Sequence, residues 1–414
     1  MAGASTVRAQ PVERFVEAAA SSAVDVRESE LSAQSRREDE WQALGRLLPS
    51  LSARAAYTRN QHEVSLTLPT GASSSNTITI TPHDQVEASV TLDVPLVDPA
   101  GWARVRAARS STDAARARIA VSLTDAQRSA ARSYFQWAGA LALVDSARAA
   151  LTVAQRSLDR ARARQAQGAA VALDVHRARA EIARAEQSLI DAQLSAETAA
   201  RSLETLSGLR PSQPALGQAT LDEEAPLAQW LTLASQTPAV QQAFAEERAA
   251  RAQSNAAWWA LSPTINATAT ERVTNAAGFG QPANLAAGFS LSWRLDATSI
   301  ANARASATST AIAGVRVERA IARARDEIHS AWWQVHSGIA RATAARARLD
   351  ASAIATQSAL ARLAQGGATE FEVLTAQRDE FDARSSVIQA DAELAYARVA
   401  LRIAAGRATP GGAP

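Results

Sequence analysis

The chain writes its structural plan twice. Residues 98–208 fall on residues 296–406 at a constant offset of 198 positions, without a gap. Under that offset Asp98 meets Asp296, Tyr134-Phe135 meets Trp332-Trp333, and Gln136 meets Gln334. Gln167-Gly168 meets Gln365-Gly366, Val175 meets Val373, Ala178 meets Ala376 and Gly208 meets Gly406. Helix-breaking glycines and large aromatics seldom coincide by chance over so long a span. The chain is therefore an internal duplication, and each copy is one structural unit.

Within each copy the hydrophobic period switches. Residues 12–47 read as a helix, entered at Pro11 and stopped at Pro49. The period then drops to two. Leu51, Ala53, Ala55 and Tyr57 alternate with Ser52, Arg54, Ala56 and Thr58, which predicts a strand over 50–58. Val86, Ala88, Val90, Leu92, Val94 and Leu96 alternate with Glu87, Ser89, Thr91 and Asp93, which predicts a second over 86–96. The Ser/Thr/Asn-rich stretch between them, about 59–84, reads as a long polar loop. A long helix follows over 100–166, roughly 100 Å at 1.5 Å per residue. Gly168 breaks it, and a helix over 171–207 ends at Gly208. The first repeat thus covers 1–208, and a proline-marked linker covers 209–226. The second repeat, 227–406, gives a helix over 227–260, strands over 263–272 and 285–295, a long helix over 299–364, a break at Gly366-Gly367 and a helix over 369–405. Residues 407–414 read as a disordered tail.

The long helices carry heptads. Trp137, Val144, Leu151 and Leu158 alternate with Ala140, Ala147, Ala154 and Ala161. In the second copy Val335, Ala342, Leu349 and Thr356 alternate with Gly338, Ala345, Ser352 and Ala359. Such spacing defines a coiled-coil seam, and its small side lets helices approach closely.

Composition removes several function classes. Alanine and arginine, both strong helix formers, dominate. The formal net charge is only +2, and the arginines are interspersed with acids along helices. That describes solvated helix faces, not a nucleic-acid patch. The chain has no cysteine, which excludes disulfides and thiolate metal sites. No run of 18 apolar residues occurs, so no transmembrane helix is expected. The first residues lack the charged head and apolar core of a signal peptide. Either the protein is not exported or its leader lies outside this sequence. The histidines His62, His83, His176, His329 and His336 have no ligand-like company, and no metal site or cofactor is expected. No phosphate-cradling loop or nucleophile elbow is found, and Gly278-Phe279-Gly280 reads as plain loop. Nothing suggests an enzyme.

The four strands constrain the rest. A lone hairpin is marginal in water, and four strands cannot close a barrel, so closure needs several chains. Each strand is long enough to cross a bilayer when tilted, with one apolar and one polar face. Trp41, Trp102, Trp258, Trp259 and Trp293 lie at or near strand ends, where aromatic rings favour the membrane interface. A half-buried soluble sheet alternates in the same way, but the duplication and the long helices favour lipid. The expected fold is mostly α with a small β part: duplicated coiled-coil hairpins and four transmembrane strands per chain.

This arrangement resembles the TolC family of outer-membrane efflux and secretion channels, over nearly the whole chain. The resemblance rests on the doubled order helix–strand–strand–long helix–short helix, on Leu48-Pro49 and on Pro95-Leu96-Val97-Asp98. It rests also on Gly168-Ala169-Ala170-Val171-Ala172-Leu173-Asp174-Val175 and its partner Gly366-Gly367-Ala368-Thr369-Glu370-Phe371-Glu372-Val373. It implies a homotrimer with a twelve-stranded β-barrel in the outer membrane and an α-helical barrel across the periplasm. Such a channel is a passive exit duct for efflux or type I secretion, docked to an inner-membrane transporter through a periplasmic adaptor. Gln167, Gly168, Ala169, Gln365, Gly366 and Gly367 would form the tip turns that meet the adaptor. Glu372 would ring the periplasmic gate, and Asp174 would match it in the first copy. Thr375 stands where a second acid is often found, and Ala368 where a basic residue can occur. The competing reading is a soluble or periplasmic coiled-coil scaffold, or the adaptor itself. Adaptors carry one helical hairpin with compact β-rich domains, whereas this chain has two hairpins and only four strands.

Overall fold

The computed structural model describes residues 9–71, 74–168, 170–215 and 217–407. In chain order the elements are helices α1 (Val12–Ser22) and α2 (Val24–Gly45), strands β1 (Ser50–Arg59), β2 (Val64–Gly71), β3 (Ser74–Thr81) and β4 (Asp84–Val97), and helices α3 (Pro99–Ala166) and α4 (Ala172–Ser207). Helix α5 (Leu227–Leu231), a 3₁₀ turn (Ala234–Gln236), α6 (Pro238–Trp259), β5 (Thr264–Thr274), β6 (Ala283–Ser292), α7 (Ala297–Ala364) and α8 (Glu370–Ala404) follow. The duplication survives to the residue: α3 and α7 are each 68 residues long. The expected tail beyond residue 407 lies outside the described residues.

Three expectations are corrected. The stretch 59–84 is not a loop, because β2 and β3 form an antiparallel hairpin that pairs Leu66 with Ile78 and Thr67 with Thr77. Val64, Leu66 and Leu68 alternate with Ser65 and Thr67, and β-branched threonine fits a pleated strand as readily as a turn. The helix over 12–47 is interrupted at Ala23, whose backbone is extended (φ −61°, ψ 130°), where the sequence has no breaker. The helix over 227–260 is in three pieces. Proline 238 is the cause: Thr237 before it is extended (ψ 146°), and Pro238, with no N–H to satisfy, opens α6.

The chain divides into two compact units: residues 1–31, 116–242 and 318–414, and residues 32–115 and 243–317. The second unit holds a four-stranded antiparallel sheet in the order β1-β4-β5-β6. The two predicted hairpins are therefore not separate, because β4 of the first copy pairs with β5 of the second, from Glu87–Thr274 to Val97–Ile265. Register aligns the apolar residues across all four strands. Leu51 faces Leu92, Leu92 faces Ala269 and Ala269 faces Ala287; beside them run Tyr57, Val86, Phe289 and Leu291. Two acids share this face, Asp84 opposite Arg59 and Glu271 between Val90 and Leu285. The apolar face is bare: Phe289 is 81% exposed, with Leu51, Leu285 and Leu291 close behind. The opposite face is polar. Thr91 and Thr270 share a hydroxyl hydrogen bond of 3.1 Å, and Arg272 grips Glu87 at 2.9 Å. Among the described residues the outer edges of β1 and β6 are unpaired.

The sheet hands over to the long helices through equivalent caps. Asp98 Oδ1 accepts from Gly101 N at 2.7 Å, and Asp296 Oδ1 accepts from Ser299 N at 2.7 Å. Each aspartate satisfies a backbone donor that has no intrahelical partner. The Ser299 N–H, joined by the Ser299 side chain, holds the Asp296 carboxyl below the usual carboxylate range. Gly101 is required for the first cap, because a Cβ there would lie 2.3 Å from Asp98 Oδ2 and 2.4 Å from Leu47 Cδ2.

The first unit holds the helical core. Phe15, Val16 and Ala19 of α1 pack on Tyr134, Phe135 and Trp137 of α3, with Leu203 of α4 and Val399 and Ile403 of α8. Phe15 and Tyr134 rings are 5.6 Å apart. The Tyr134 hydroxyl donates to Gln10 O (2.7 Å) and accepts from Ala215 N (2.9 Å), so one buried phenol pins both the N-terminal segment and the linker. Burial pushes that phenol above the ordinary tyrosine value. The linker is held further along by Arg346, which bonds Ala219 O and Asp391, and by Arg398, which bonds Glu224 and two linker carbonyls.

The seams are buried at Trp137, Ala140, Val144, Ala147, Ala154, Leu158 and Ala161 in α3, and at Val335, Gly338, Ala342 and Thr356 in α7. Gly338 shows why one side is small: a Cβ there would stand 3.2 Å from the Leu394 side chain of α8. Among the described residues α3 alone is long and apolar enough to cross a membrane, with a window of mean hydropathy 1.2. Nearly half of that window is buried within the protein itself, which is how a core helix behaves. Asp98→Ala is expected to lower the unfolding free energy by about 1 kcal/mol. Asp296→Ala acts in the same direction. Because the Asp296 value is depressed, its contribution is present above the unfolded carboxylate value of about 4 and is lost as pH falls through the folded one. Chemical denaturation followed by helical circular dichroism, repeated across acid pH, reads both.

Candidate functional site

The helix-to-helix turns of the first unit share one chemistry. Gly168 and Gly366 both adopt left-handed backbone, at φ 75° and 76°, where a side chain would be strained. Gly366 N bonds Leu363 O, and Gly367 N reaches back to Arg362 O at 2.8 Å, returning carbonyls that the helix end leaves open. Arg362 adds a bond of 2.8 Å to Gly367 O. Gly168 N bonds Gln165 O in the first turn, and Gln167 and Gln365 flank the two glycines on exposed backbone. Ala169 lies outside the described residues.

After the second turn Thr369 caps α8, its Oγ1 accepting from Glu372 N at 3.2 Å, the first half of a capping box. Glu372 is exposed and stands 4.0 Å from Arg362, itself well exposed. That pair is weak in water, so the carboxylate keeps most of its field. Asp174 is less open and sits 3.9 Å from Arg177 on its own helix. Arg177 in turn lies 4.7 Å from the Phe371 ring centroid, a cation–π contact that couples α4 to α8 beside Glu372. Thr375 is exposed, and its hydroxyl is spent on Phe371 O of its own helix (2.9 Å).

The structure adds a group that periodicity does not reveal. Glu370, one residue past the cap, is 4% exposed. Arg160 of α3 lies 3.6 Å from its Oε1, and neither carboxylate oxygen has a hydrogen-bond partner among the described residues. Arg160 also donates to Ser157 Oγ (2.8 Å), and Ser157 donates to Gln377 Oε1 (3.0 Å). The network ties α3 of one copy to α8 of the other. Its one sequence signal is an acid in the first turn of a helix, where the helix dipole favours it. Ser146, Val153, Arg184, Leu374, Phe381 and Arg384, from α3, α4 and α8, line a cleft of about 260 Å³.

In the second unit Trp41, Trp102, Trp258, Trp259 and Trp293 are all exposed, and Trp293 Nε1 donates to Leu261 O at 3.0 Å. A ring such as Trp293, anchored at its polar end and bare elsewhere, suits a boundary between water and lipid. Among the described residues no group of three potential metal ligands comes together.

A sheet with one bare apolar face and duplicated coiled-coil hairpins are the two features that the comparisons with known proteins bear on. The chain belongs to the outer membrane efflux protein family, whose model matches residues 15–209 and 232–407. It is an outer-membrane channel protein and not an enzyme. No curated protein matches it. Solved structures share its fold. A membrane protein from Pseudomonas aeruginosa has 21% identity and a TM-score of 0.79, over 95% of this chain and 90% of that one. The outer membrane protein VceC from Vibrio cholerae has 18% identity and a TM-score of 0.77, over 95% and 96%. The MtrE outer membrane channel of Neisseria gonorrhoeae, in its open state, has 19% identity and a TM-score of 0.74, over 95% and 88%.

Glu370 is buried while Arg160 is partly open to water, so removing the arginine leaves a buried carboxylate alone, and Arg160→Met is expected to cost about 1 kcal/mol. The double replacement Arg160→Met with Glu370→Met should recover most of that loss. Denaturant unfolding of the detergent-solubilised protein, read as a double-mutant cycle, checks both values.

Proposed function

We propose that three copies of this chain assemble into a passive exit duct, which receives cargo from an inner-membrane transporter through a periplasmic adaptor. The observation that carries this reading is the open sheet. Its bare apolar face suits hydrocarbon, yet β1 and β6 expose unpaired backbone groups at both edges. Such edges are not tolerated in lipid, where each unsatisfied group costs several kcal/mol. Pairing β6 of one copy with β1 of the next removes every edge. That the ring closes with three copies of four strands follows from the resemblance to the TolC family.

Assembly would turn single residues into rings. Three Glu372 carboxylates at the tips attract cations and repel anions. The tip turns, with the cleft along the hairpins, offer the adaptor backbone, apolar and charged contacts on one surface. The links at Arg160–Glu370 and Arg177–Phe371 hold α3 and α4 to α8. A shift between two packings of these helices would open the duct, and MtrE is described in an open state.

Cysteine pairs placed on β1 (Ala53, Ala55) and β6 (Ala283, Ala287) should cross-link into dimers and trimers and no further, in a chain with no cysteine of its own. A ladder extending beyond three, or no ladder at any pair, would remove the trimer. Glu372→Ala should lower the cation preference of single channels in planar bilayers, and unchanged selectivity would end its gate role. Bulky charged replacements at Gly168 or Gly366 should impair export while trimers still form.

A further inference from the structure

The polar face of the sheet carries a charge that the rest of the structure leaves unanswered. Strand register places Arg54 opposite Ser89, Ser89 opposite Arg272 and Arg272 opposite Asn284. One row across four strands thus holds two guanidinium groups, a hydroxyl and an amide, all able to donate to oxygen. The two arginines differ in state. Arg272 is engaged with Glu87 through two bonds, at 2.9 Å and 3.0 Å. Arg54 is exposed, and no carboxylate among the described residues lies within ion-pair reach of it. The acids that could neutralise it are otherwise placed. Asp84 is taken by Arg59 and by the Tyr57 hydroxyl, and Glu271 is on the apolar face. Asp93 shares the polar face but lies four residues along β4 from Ser89. At strand rise that is about 13 Å, beyond a Debye length of about 8 Å at physiological salt.

We propose that Arg54 builds an anion-binding belt inside the sheet, where multivalent oxyanions such as polyphosphates and polycarboxylates are held. The proposal rests on the three-copy barrel above. In that barrel threefold symmetry sets three Arg54 at one height facing a common lumen, with a low-dielectric wall behind them that focuses their field. A guanidinium presents forked donors that match oxyanion geometry. The belt is opposite in sign to the Glu372 ring, so the two rings select on different charges. A cargo carrying both signs fits this pair of filters better than a simple cation.

The test uses the full chain in planar bilayers, with inorganic tripolyphosphate added to each side in turn. The wild-type single-channel current should fall with tripolyphosphate from the side nearer the sheet. Arg54→Ser should raise the half-blocking concentration about tenfold, the product of three weak exposed contacts. Arg54→Lys should stay within about threefold of wild type, because the charge remains while the fork is lost. Equal block in wild type and Arg54→Ser, or no block in either, overturns the belt while leaving the barrel intact. Absence of the β1–β6 cross-linked trimer overturns the barrel, and the belt with it.

Discussion

The pairing of β4 with β5 is the constraint on which the rest depends. These strands belong to different copies of the duplicated sequence, and their ladder runs from Glu87–Thr274 to Val97–Ile265. Without it each copy would own a two-stranded ribbon, which water does not stabilise. With it the chain has one sheet of four strands, one continuous apolar face and one polar face. The polar face then brings Arg272 to Glu87 and Thr91 to Thr270, contacts that neither copy makes alone. The same ladder leaves β1 and β6 as bare edges, so the pairing that completes the fold within the chain also creates the demand for more chains.

At the other functional region the governing constraint is closeness. Small residues at Ala140, Ala147, Gly338 and Ala342 let backbones approach, and large ones at Trp137, Val144 and Val335 fill what remains. Dense packing of this kind is not continuously deformable, which makes discrete helix arrangements more natural than gradual bending. The polar ties across it are few and specific. Ser157 to Gln377 and Thr356 to the Ala376 carbonyl are satisfied bonds, whereas the Glu370 carboxyl is buried beside a single arginine with no hydrogen bond. A buried carboxylate with one partner is costly to hold and costly to strand, so the contact specifies an arrangement more than it stabilises one.

Much of this is legible in the amino-acid sequence. The offset of the duplication fixed which residues had to be equivalent, and the equal lengths of α3 and α7 follow from it. Asp98 and Asp296 met in the alignment because both cap a long helix. Gly168 and Gly366 met because both need left-handed backbone. The misreadings have physical causes too. Serine and threonine between residues 64 and 81 suggested a loop, although threonine alternating with leucine and isoleucine is a strand. Pro238 stands inside a helical period that runs on either side of it, and the period alone does not show the break. At Ala23 no residue type announced the break.

The candidate site divides along the same line. The turn glycines were legible because they break the helical period, which is local information, whereas Glu372 and Asp174 were singled out by the resemblance to the TolC family. Glu370 with Arg160, and Arg177 with Phe371, were not legible, because each pair joins helices far apart in sequence and no local pattern records which face meets which. Sequence alone determined the repeat, the helix ends and the two-faced strands, since these follow from backbone sterics and the period of apolar residues. Only tertiary structure decided that β4 takes β5 as its neighbour, that Arg272 is engaged while Arg54 is not, and that one glutamate of two at a helix start is buried. Those outcomes depend on register and helix rotation, which long-range packing sets.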